Sequence, residues 1–398
     1  MSKVAELIVA QPEELTPCLE HLAASPALGF DTEFVGEDTY TPQLCLIQVA
    51  TRERLYLIDP LSVGDLAGFW QVLLDPARVV VVHAGREEVR LSKHHGGRVA
   101  TNFFDLQIAA GLVGRQYPLS HAGLVQQVLG VNLPKGQTLT EWRRRPLTSS
   151  QIRYAYDDVR CLLAAWDAIR TDLEGLGRLD WAREEFAHLA SVAAPEERNS
   201  EKWRKLRGLG SLDRKRLAVV RALFDWREKQ AEATNRPARS LIRDDLVIEI
   251  AKRGPVTDAD LHAMRGLAKR DVEAIVRVVE AARALPPEEW PATNGREQDS
   301  PQVVLLSSIV GAVLADLCLR GRLAANLVAS GSDVKALVRS RLGDAGSADE
   351  SALTSGWRAE HVLPELLAIL DGRRTIRVAD ATAEAPLEYG QPPADGVS

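Results

Sequence analysis

The hydrophobic and polar positions divide the chain into two regimes. Over roughly the first 110 residues, short apolar runs alternate with turns. Residues 28–34 (Leu-Gly-Phe-Asp-Thr-Glu-Phe) read as a strand leaving a turn. Residues 43–50 and 55–59 follow as two more, separated by the polar turn 51–54. Connections this short predict an antiparallel meander. Residues 65–74 carry helical periodicity and stop at Asp75-Pro76. The run from Arg78 to His83 is β-branched throughout its middle, which predicts a central parallel strand buried on both faces. Helical and irregular segments continue to about residue 190. A meander followed by α/β crossovers predicts a mixed sheet flanked by helices.

After that the strand signal disappears. Residues 191–200 are small, polar and Pro-containing, and read as a linker. From 203 to 283 apolar positions recur at three- and four-residue steps (Leu217, Val220, Leu223, Phe224), predicting helices throughout. Residues 284–301 are a second linker by composition, and helical periodicity returns over 303–319, 323–338 and 359–370. The expected units are therefore 1–190, 201–283 and 300–376, with a disordered tail at 377–398. Both C-terminal units are expected to be separable helical modules whose loss mainly weakens substrate binding.

Composition narrows the class. A hydrophobic fraction of 45% and a charged fraction of 26% are those of a soluble globular protein. No apolar run reads as long enough to span a bilayer, and the N-terminus lacks a basic-then-apolar signal, so no membrane role is expected. Cys18, Cys45, Cys161 and Cys318 lie far apart with no CxxC pair. That argues against a disulfide framework or zinc site and predicts buried or spare thiols in a reducing cytoplasm. The net charge of -6 does not advertise nucleic-acid binding, but residues 201–230 hold ten Lys/Arg against four Asp/Glu. That local excess is more informative than the total.

The candidate chemistry is acidic. Asp31 and Glu33 share one face of their strand. Burying two unpaired carboxylates there would cost several kcal/mol (roughly, by transfer and mutational data), so either a cation or neighbouring arginines must answer them. Tyr154 and Asp158, four apart, share one face of a helix read as continuing through Trp166. Carboxylates converging from a strand and a helix suit hard divalent cations such as magnesium or manganese. A tyrosine one turn before the carboxylate is placed to aim a water at a phosphorus. Asp157 faces elsewhere and reads as solvated or capping.

The motifs together resemble the ribonuclease D family, in the DEDDy branch of the DEDD 3′–5′ exonucleases. The resemblance rests on Phe30-Asp31-Thr32-Glu33-Phe34, Tyr40-x-Pro42-Gln43-Leu44-Cys45-Leu46-Ile47-Gln48, His83-Ala84-Gly85, Phe104-Asp105-Leu106-Gln107, Trp142-x-x-Arg145-Pro146-Leu147 and Tyr154-x-x-x-Asp158, in the family's order. It implies an α/β ribonuclease-H-like exonuclease domain with a mixed sheet, hydrolysis from a 3′ end and release of nucleoside 5′-monophosphates. It also implies two divalent ions, Mg2+ or Mn2+. One would be held by Asp31, Glu33 and Asp158 to activate a water, the other by Asp31 and Glu88 to stabilise the leaving 3′ oxygen, with Tyr154 beside the water. The family usually has aspartate where this chain has Glu88; glutamate keeps the charge and adds one methylene. Asp105 is expected to cap or orient the following helix, and His83 to be a packed, hydrogen-bonded histidine.

Residues 201–283 resemble an HRDC domain through Trp203-Arg204-Lys205-Leu206-Arg207-Gly208, Leu223-Phe224-Asp225-Trp226-Arg227-Glu228, Asn235-Arg236-Pro237, Ile242-Arg243-Asp244 and Leu261. All-α HRDC-type domains are thus expected after the exonuclease domain, the second at 300–376 by position alone. Lys202, Arg204 and Lys205 are candidate backbone-binding cations. Lys135, Trp142 and Arg145 are candidate RNA contacts, stacking included, with core packing and a structural ion pair as the alternative for Trp142 and Arg145. The expected partner is RNA with a free 3′ end, such as a tRNA precursor, with no obligatory protein partner. A DNA-directed exonuclease and a weakly active RNA-binding scaffold are the competing readings.

Overall fold

The computed structural model describes residues 4–134, 141–193, 201–253, 257–293, 299–344 and 351–392. The N-terminal unit runs β1 (Ala5–Val9), α1 (Pro12–Ala23), β2 (Ala27–Val35), β3 (Gln43–Ala50), β4 (Arg54–Ile58), α2 (Ala67–Leu73), β5 (Val79–Val82), α3 (Arg86–Gly96), β6 (Phe103–Asp105), α4 (Leu106–Leu112), α5 (His121–Leu129), α6 (Ser149–Arg160), α7 (Leu162–Gly175) and α8 (Leu179–Ala193). The sheet order is β1-β4-β3-β2-β5-β6. β2, β3 and β4 form the expected antiparallel meander, while β1 on β4, and β2-β5-β6, pair in parallel. The valine run is the inner parallel strand its composition predicts.

Strand alternation sends side chains to two cores. Leu28, Phe30, Ile47, Val49, Val80 and Val82 pack with α1, α2 and α3. Ala27, Leu46, Ala50, Leu55, Leu57 and Val81 pack with the later helices. The patterning does not announce β1, an edge strand exposed at four of its five positions, nor β6, only three residues long. The helix expected to run through Trp166 is interrupted at Cys161. That break lets α6 cover β2, β3 and β4 while α7 covers β2 and β5. The four cysteines are free and buried.

The second unit holds α9 (Arg214–Thr234), α10 (Ala238–Leu241), α11 (Asp244–Arg253), α12 (Asp258–His262) and α13 (Val272–Arg283), closed around Trp203, Leu223, Val247, Ile250 and Ile275 as a core of its own. It touches the first unit where Asn235 accepts from Thr41 N at 3.0 Å and Glu228 from Tyr40 Oη at 3.4 Å.

The third unit holds α14 (Pro301–Arg320), α15 (Ala325–Val328), α16 (Gly331–Arg341), α17 (Gly356–His361) and α18 (Leu363–Leu370). It corrects the expectation of a separable module. Val303, Leu327, Val328, Trp357 and Leu366 belong to the same core as Leu106, Leu124 and Ala155 of the first unit. Ala324 N donates to Gly111 O at 2.8 Å, and Arg178 bonds the carbonyls of Leu112 and Arg322 at 2.7 and 2.8 Å. Glu185 accepts from Trp357 Nε1 at 2.8 Å and pairs with Arg358, while Trp181 stacks on Trp357 with centroids 4.5 Å apart. Gly111 has no room for a side chain, since a Cβ would come within 2.8 Å of Leu327.

Two further expectations change here. The tail is not disordered from 377: β7 (Thr375–Val378) and β8 (Leu387–Gly390) form a hairpin, anchored where buried Asp316 accepts from Leu387 N at 3.0 Å and Tyr389 Oη at 2.8 Å. A sequence window without periodicity gave no sign of an anchor 71 residues upstream of Leu387. α14 is also long and apolar enough to cross a membrane by length and composition, contrary to the reading that no run is. Its Val303, Val310, Val313, Leu314 and Cys318 are buried in the core just described.

Candidate active site

Three elements, β2, α3 and α6, bring the four carboxylates together. β2 carries Asp31 and Glu33 on the face covered by α6 and α7, and α6 carries Tyr154 and Asp158 over it. α6 starts with a capping box, Thr148 Oγ1 accepting from Gln151 N while the Gln151 side chain accepts from Thr148 N. The pairing of β2 with β5 ends at Gly29, so the edge of β2 at Asp31–Glu33 is free for the N-terminus of α3. Glu88 approaches there, 6% exposed, with Oε1 accepting from Thr32 Oγ1 at 2.8 Å.

Asp105 builds the turn that delivers Glu88. Its carboxylate accepts from Ala84 N and Gly85 N at 3.2 and 2.8 Å, and caps α4 through Gln107 N and Ile108 N. Ala84 holds a left-handed φ of 56° in this turn, and Gly85 is required because a Cβ would lie 2.3 Å from Val82. The capping expected of Asp105 is therefore joined by a second duty toward α3. His83 is the packed histidine expected, its Nε2 donating to Leu119 O at 2.9 Å.

The electrostatics are those of acids crowded together. Burial, followed by Glu88 and Asp158, holds Asp31 well above the usual carboxylate range. Burial and the charges of Asp158 and Glu88 push Glu33 up to about 8. Burial raises Glu88 to about 7 against the opposing bond from Thr32, and Asp158 to about 7 against the bond from Tyr154. Tyr154 itself is raised by burial and then by Asp158, so its phenol keeps its proton and donates. None of these leading influences is a cation. Asp158 Oδ2 is buried without a partner.

Hard oxygen donors, mutual repulsion and an orphaned carboxylate oxygen fit divalent cations. Among the described residues no three His, Cys, Asp or Glu side chains are gathered closely enough to enclose one ion as they stand. The fit lies in the donor chemistry and charge, not in a closed shell.

The nucleic-acid candidates fare differently. Trp142 is 4% exposed in the core, its ring 6.1 Å from that of Tyr154, and has no free face for a base. Arg145 is spent on Asp59 (2.5 and 2.7 Å) and on the carbonyls of Cys45 and Trp142. Both are corrected to structural roles, since buried Asp59 needs a counter-charge. Arg143 is half-buried and pairs with Asp38 and Glu141. Arg204 pairs with Glu201 and bonds Ala292 O, while Arg214 and Arg221 hold the carbonyls of Pro287, Trp290, Pro291 and Glu289. Three of the ten basic residues in 201–230 thus fasten the following segment. Lys202 and Lys205 are exposed, and Lys135 lies outside the described residues. Asp157, read as solvated or capping, pairs with Arg160.

Three neighbours escaped the sequence reading. Thr32 was only the spacer between two acids. Gln48 lies opposite Asp31 in register, fully buried, with neither amide atom partnered. Its signal was a polar residue inside the apolar run of β3. His121 stands beside Asp158 and had no local signal.

A two-sided mixed sheet with these acids at the free edge of its central strand defines a ribonuclease-H-like 3′–5′ exonuclease. A family model described as 3′-5′ exonuclease matches residues 7–174, and an HRDC domain model matches 216–279. The ribonuclease D of Gluconacetobacter diazotrophicus is 33% identical over 94% of both chains, and that of Granulibacter bethesdensis 32% identical over 92% of both. The crystal structure of Escherichia coli RNase D, described as an exoribonuclease involved in structured RNA processing, superposes with a TM-score of 0.81 at 27% identity, covering 92% of this chain and 98% of that one. The chain belongs to the ribonuclease D family. It is a 3′–5′ exoribonuclease, and its fold implies use of divalent metal.

Proposed function

We propose that this enzyme trims the 3′ ends of structured RNA such as tRNA precursors in the cytoplasm, releasing nucleoside 5′-monophosphates by two-metal hydrolysis. The observation that carries the mechanism is the convergence of Asp31, Glu33, Glu88 and Asp158 with no cation among their leading influences. Two divalent ions bound there would supply activation of the attacking water and charge neutralisation at the leaving 3′ oxygen. Asp31, Glu33 and Asp158 would hold one and Asp31 and Glu88 the other. Tyr154, kept protonated, orients the water by hydrogen bonding. Asp105 positions Glu88 through the β5–α3 turn, and Lys202 and Lys205 offer salt-dependent contacts to the phosphate backbone.

Side-by-side digestion of a 3′-extended tRNA, single-stranded RNA and single-stranded DNA, with Mg2+ or Mn2+, tests this reading. Mononucleotides from the tRNA are expected; equal rates on DNA would defeat the RNA-specific form. In the same assay Glu88→Asp should retain or raise Mg2+-supported activity, and Glu88→Ala should lower it. An unchanged rate in the alanine variant would remove Glu88 from the site.

The acid cluster also sets a pH dependence. Raised carboxyl values mean the folded, metal-free protein binds more protons than the unfolded chain between about pH 4 and 8. Stability contributed by these groups is present below the unfolded values and lost as pH rises through 7 to 8. The metal-free Tm is expected to fall across that window, and Mn2+ to raise Tm more at pH 8 than at pH 5.5. An equal Mn2+ shift at both pH values would argue against carboxylate ligation.

A further inference from the structure

The reading of Asp158 as a ligand leaves unexplained what holds its carboxylate. Tyr154 bonds it from one turn earlier on the same helix. On the other side stands His121, the first residue of α5, with Nδ1 4.0 Å from Asp158 Oδ1. The imidazole is mostly enclosed, its side chain 17% exposed, and its Nε2 has no hydrogen-bond partner.

The surroundings fix the ring. His121 lies against His83, with ring centroids 5.4 Å apart. His83 in turn donates from Nε2 to Leu119 O, which also accepts from Gln107 Nε2 at 2.9 Å. Ser120 caps α5 by accepting from Gly123 N. The loop before α5 is held from the third unit, where Asn326 Nδ2 donates to Tyr117 O at 3.4 Å. An ionised carboxylate, the form a cation ligand takes, only accepts, so the nitrogen facing Asp158 in that state carries the hydrogen. At 4.0 Å the pair is longer than a hydrogen bond, and such contacts often shorten in the working complex.

From this geometry we infer that His121 is a positioning residue for Asp158, presenting Nδ1–H to Oδ1 so that the orphaned Oδ2 is aimed at a divalent cation. The inference rests on the proposed ligand role of Asp158, and the two can fail separately. His121 touches no substrate; it acts by orienting a ligand, the kind of outer contact whose loss costs roughly 10–100-fold in metal affinity.

The test is Mn2+ binding to the full-length protein, read from the paramagnetic resonance of free Mn2+, with Tm and activity in parallel. His121→Phe keeps the ring against His83 and removes the N–H. It is expected to weaken Mn2+ binding by roughly tenfold, with Tm little changed and activity largely recovered at saturating Mn2+. His121→Asn, which restores a donor near the position of Nδ1, should recover most of the affinity, and it decides the matter if the phenylalanine variant does not fold. Unchanged Mn2+ affinity in His121→Phe, or in a His121→Ala variant used in its place, overturns the inference while leaving the site intact if Asp158→Asn still loses binding. Should Asp158→Asn bind Mn2+ normally, the ligand reading falls instead, and this inference with it.

Discussion

Asp31→Ala and Asp158→Ala are each expected to lower mononucleotide release by roughly 1,000-fold or more, a loss of about 4 kcal/mol of transition-state stabilisation. The isosteric Asp31→Asn should be equally inactive yet, without metal, more heat-stable than the parent at pH 8. The physical reason is the cluster itself. Asp31 is disfavoured as an anion first by burial and then by Glu88 and Asp158, so removing its charge relieves repulsion that the fold otherwise bears. Single-turnover digestion together with thermal unfolding separates the two effects. Near-normal rates in both alanine variants would mean the chemistry lies elsewhere. A fall in Tm for Asp31→Asn would mean the carboxylate is satisfied by something other than a cation.

Truncation after residue 299 is expected to unfold the exonuclease unit, whereas excising 201–293 and bridging the gap with a flexible linker should leave it folded. Both units show only helical periodicity in the sequence, but they differ in where their apolar faces go. Trp203, Leu223 and Ile250 close a core within the second unit. Val303, Leu327, Val328, Trp357 and Leu366 complete the core of the first. At about 2 kcal/mol for each buried side chain, losing these five would cancel a typical domain stability of about 5–15 kcal/mol. Glu185, now buried, would also lose both Trp357 and Arg358 as partners. Circular dichroism melts and single-stranded RNA digestion of both deletions check this. A cooperative melt near the parental Tm for the truncated chain would show the third unit to be dispensable. The excised chain should keep its chemistry and lose affinity with a shallower salt dependence, because Lys202 and Lys205 go with the excised segment.

Much of the site could be read without coordinates, because strand and helix periods are local. Asp31 and Glu33 at a two-residue step, and Tyr154 and Asp158 at a four-residue step, each had to share a face wherever those elements went. Asp105 showed its capping role through the helix it precedes. The readings that changed concern long side chains whose partners are remote in sequence. Arg145 is satisfied by Asp59, 86 residues earlier, and Arg204 by a carbonyl 88 residues later. A basic residue in an unlabelled sequence looks the same whether it meets phosphate or a backbone oxygen. Thr32, Gln48 and His121 were missed for the same reason: their importance comes from what the sheet register and the α5 approach set beside them.

The sequence by itself determined the kind of chemistry: the acids, the tyrosine and the alternation that makes a mixed sheet with two buried faces. Those are consequences of periodicity and side-chain type, which the chain carries residue by residue. Tertiary structure decided which cations are free to meet RNA, how Glu88 is delivered to the open edge of β2, and which helical unit is part of the enzyme's core. Each of those depends on contacts between segments tens to hundreds of residues apart, where burial and pairing, rather than local propensity, set the free energy.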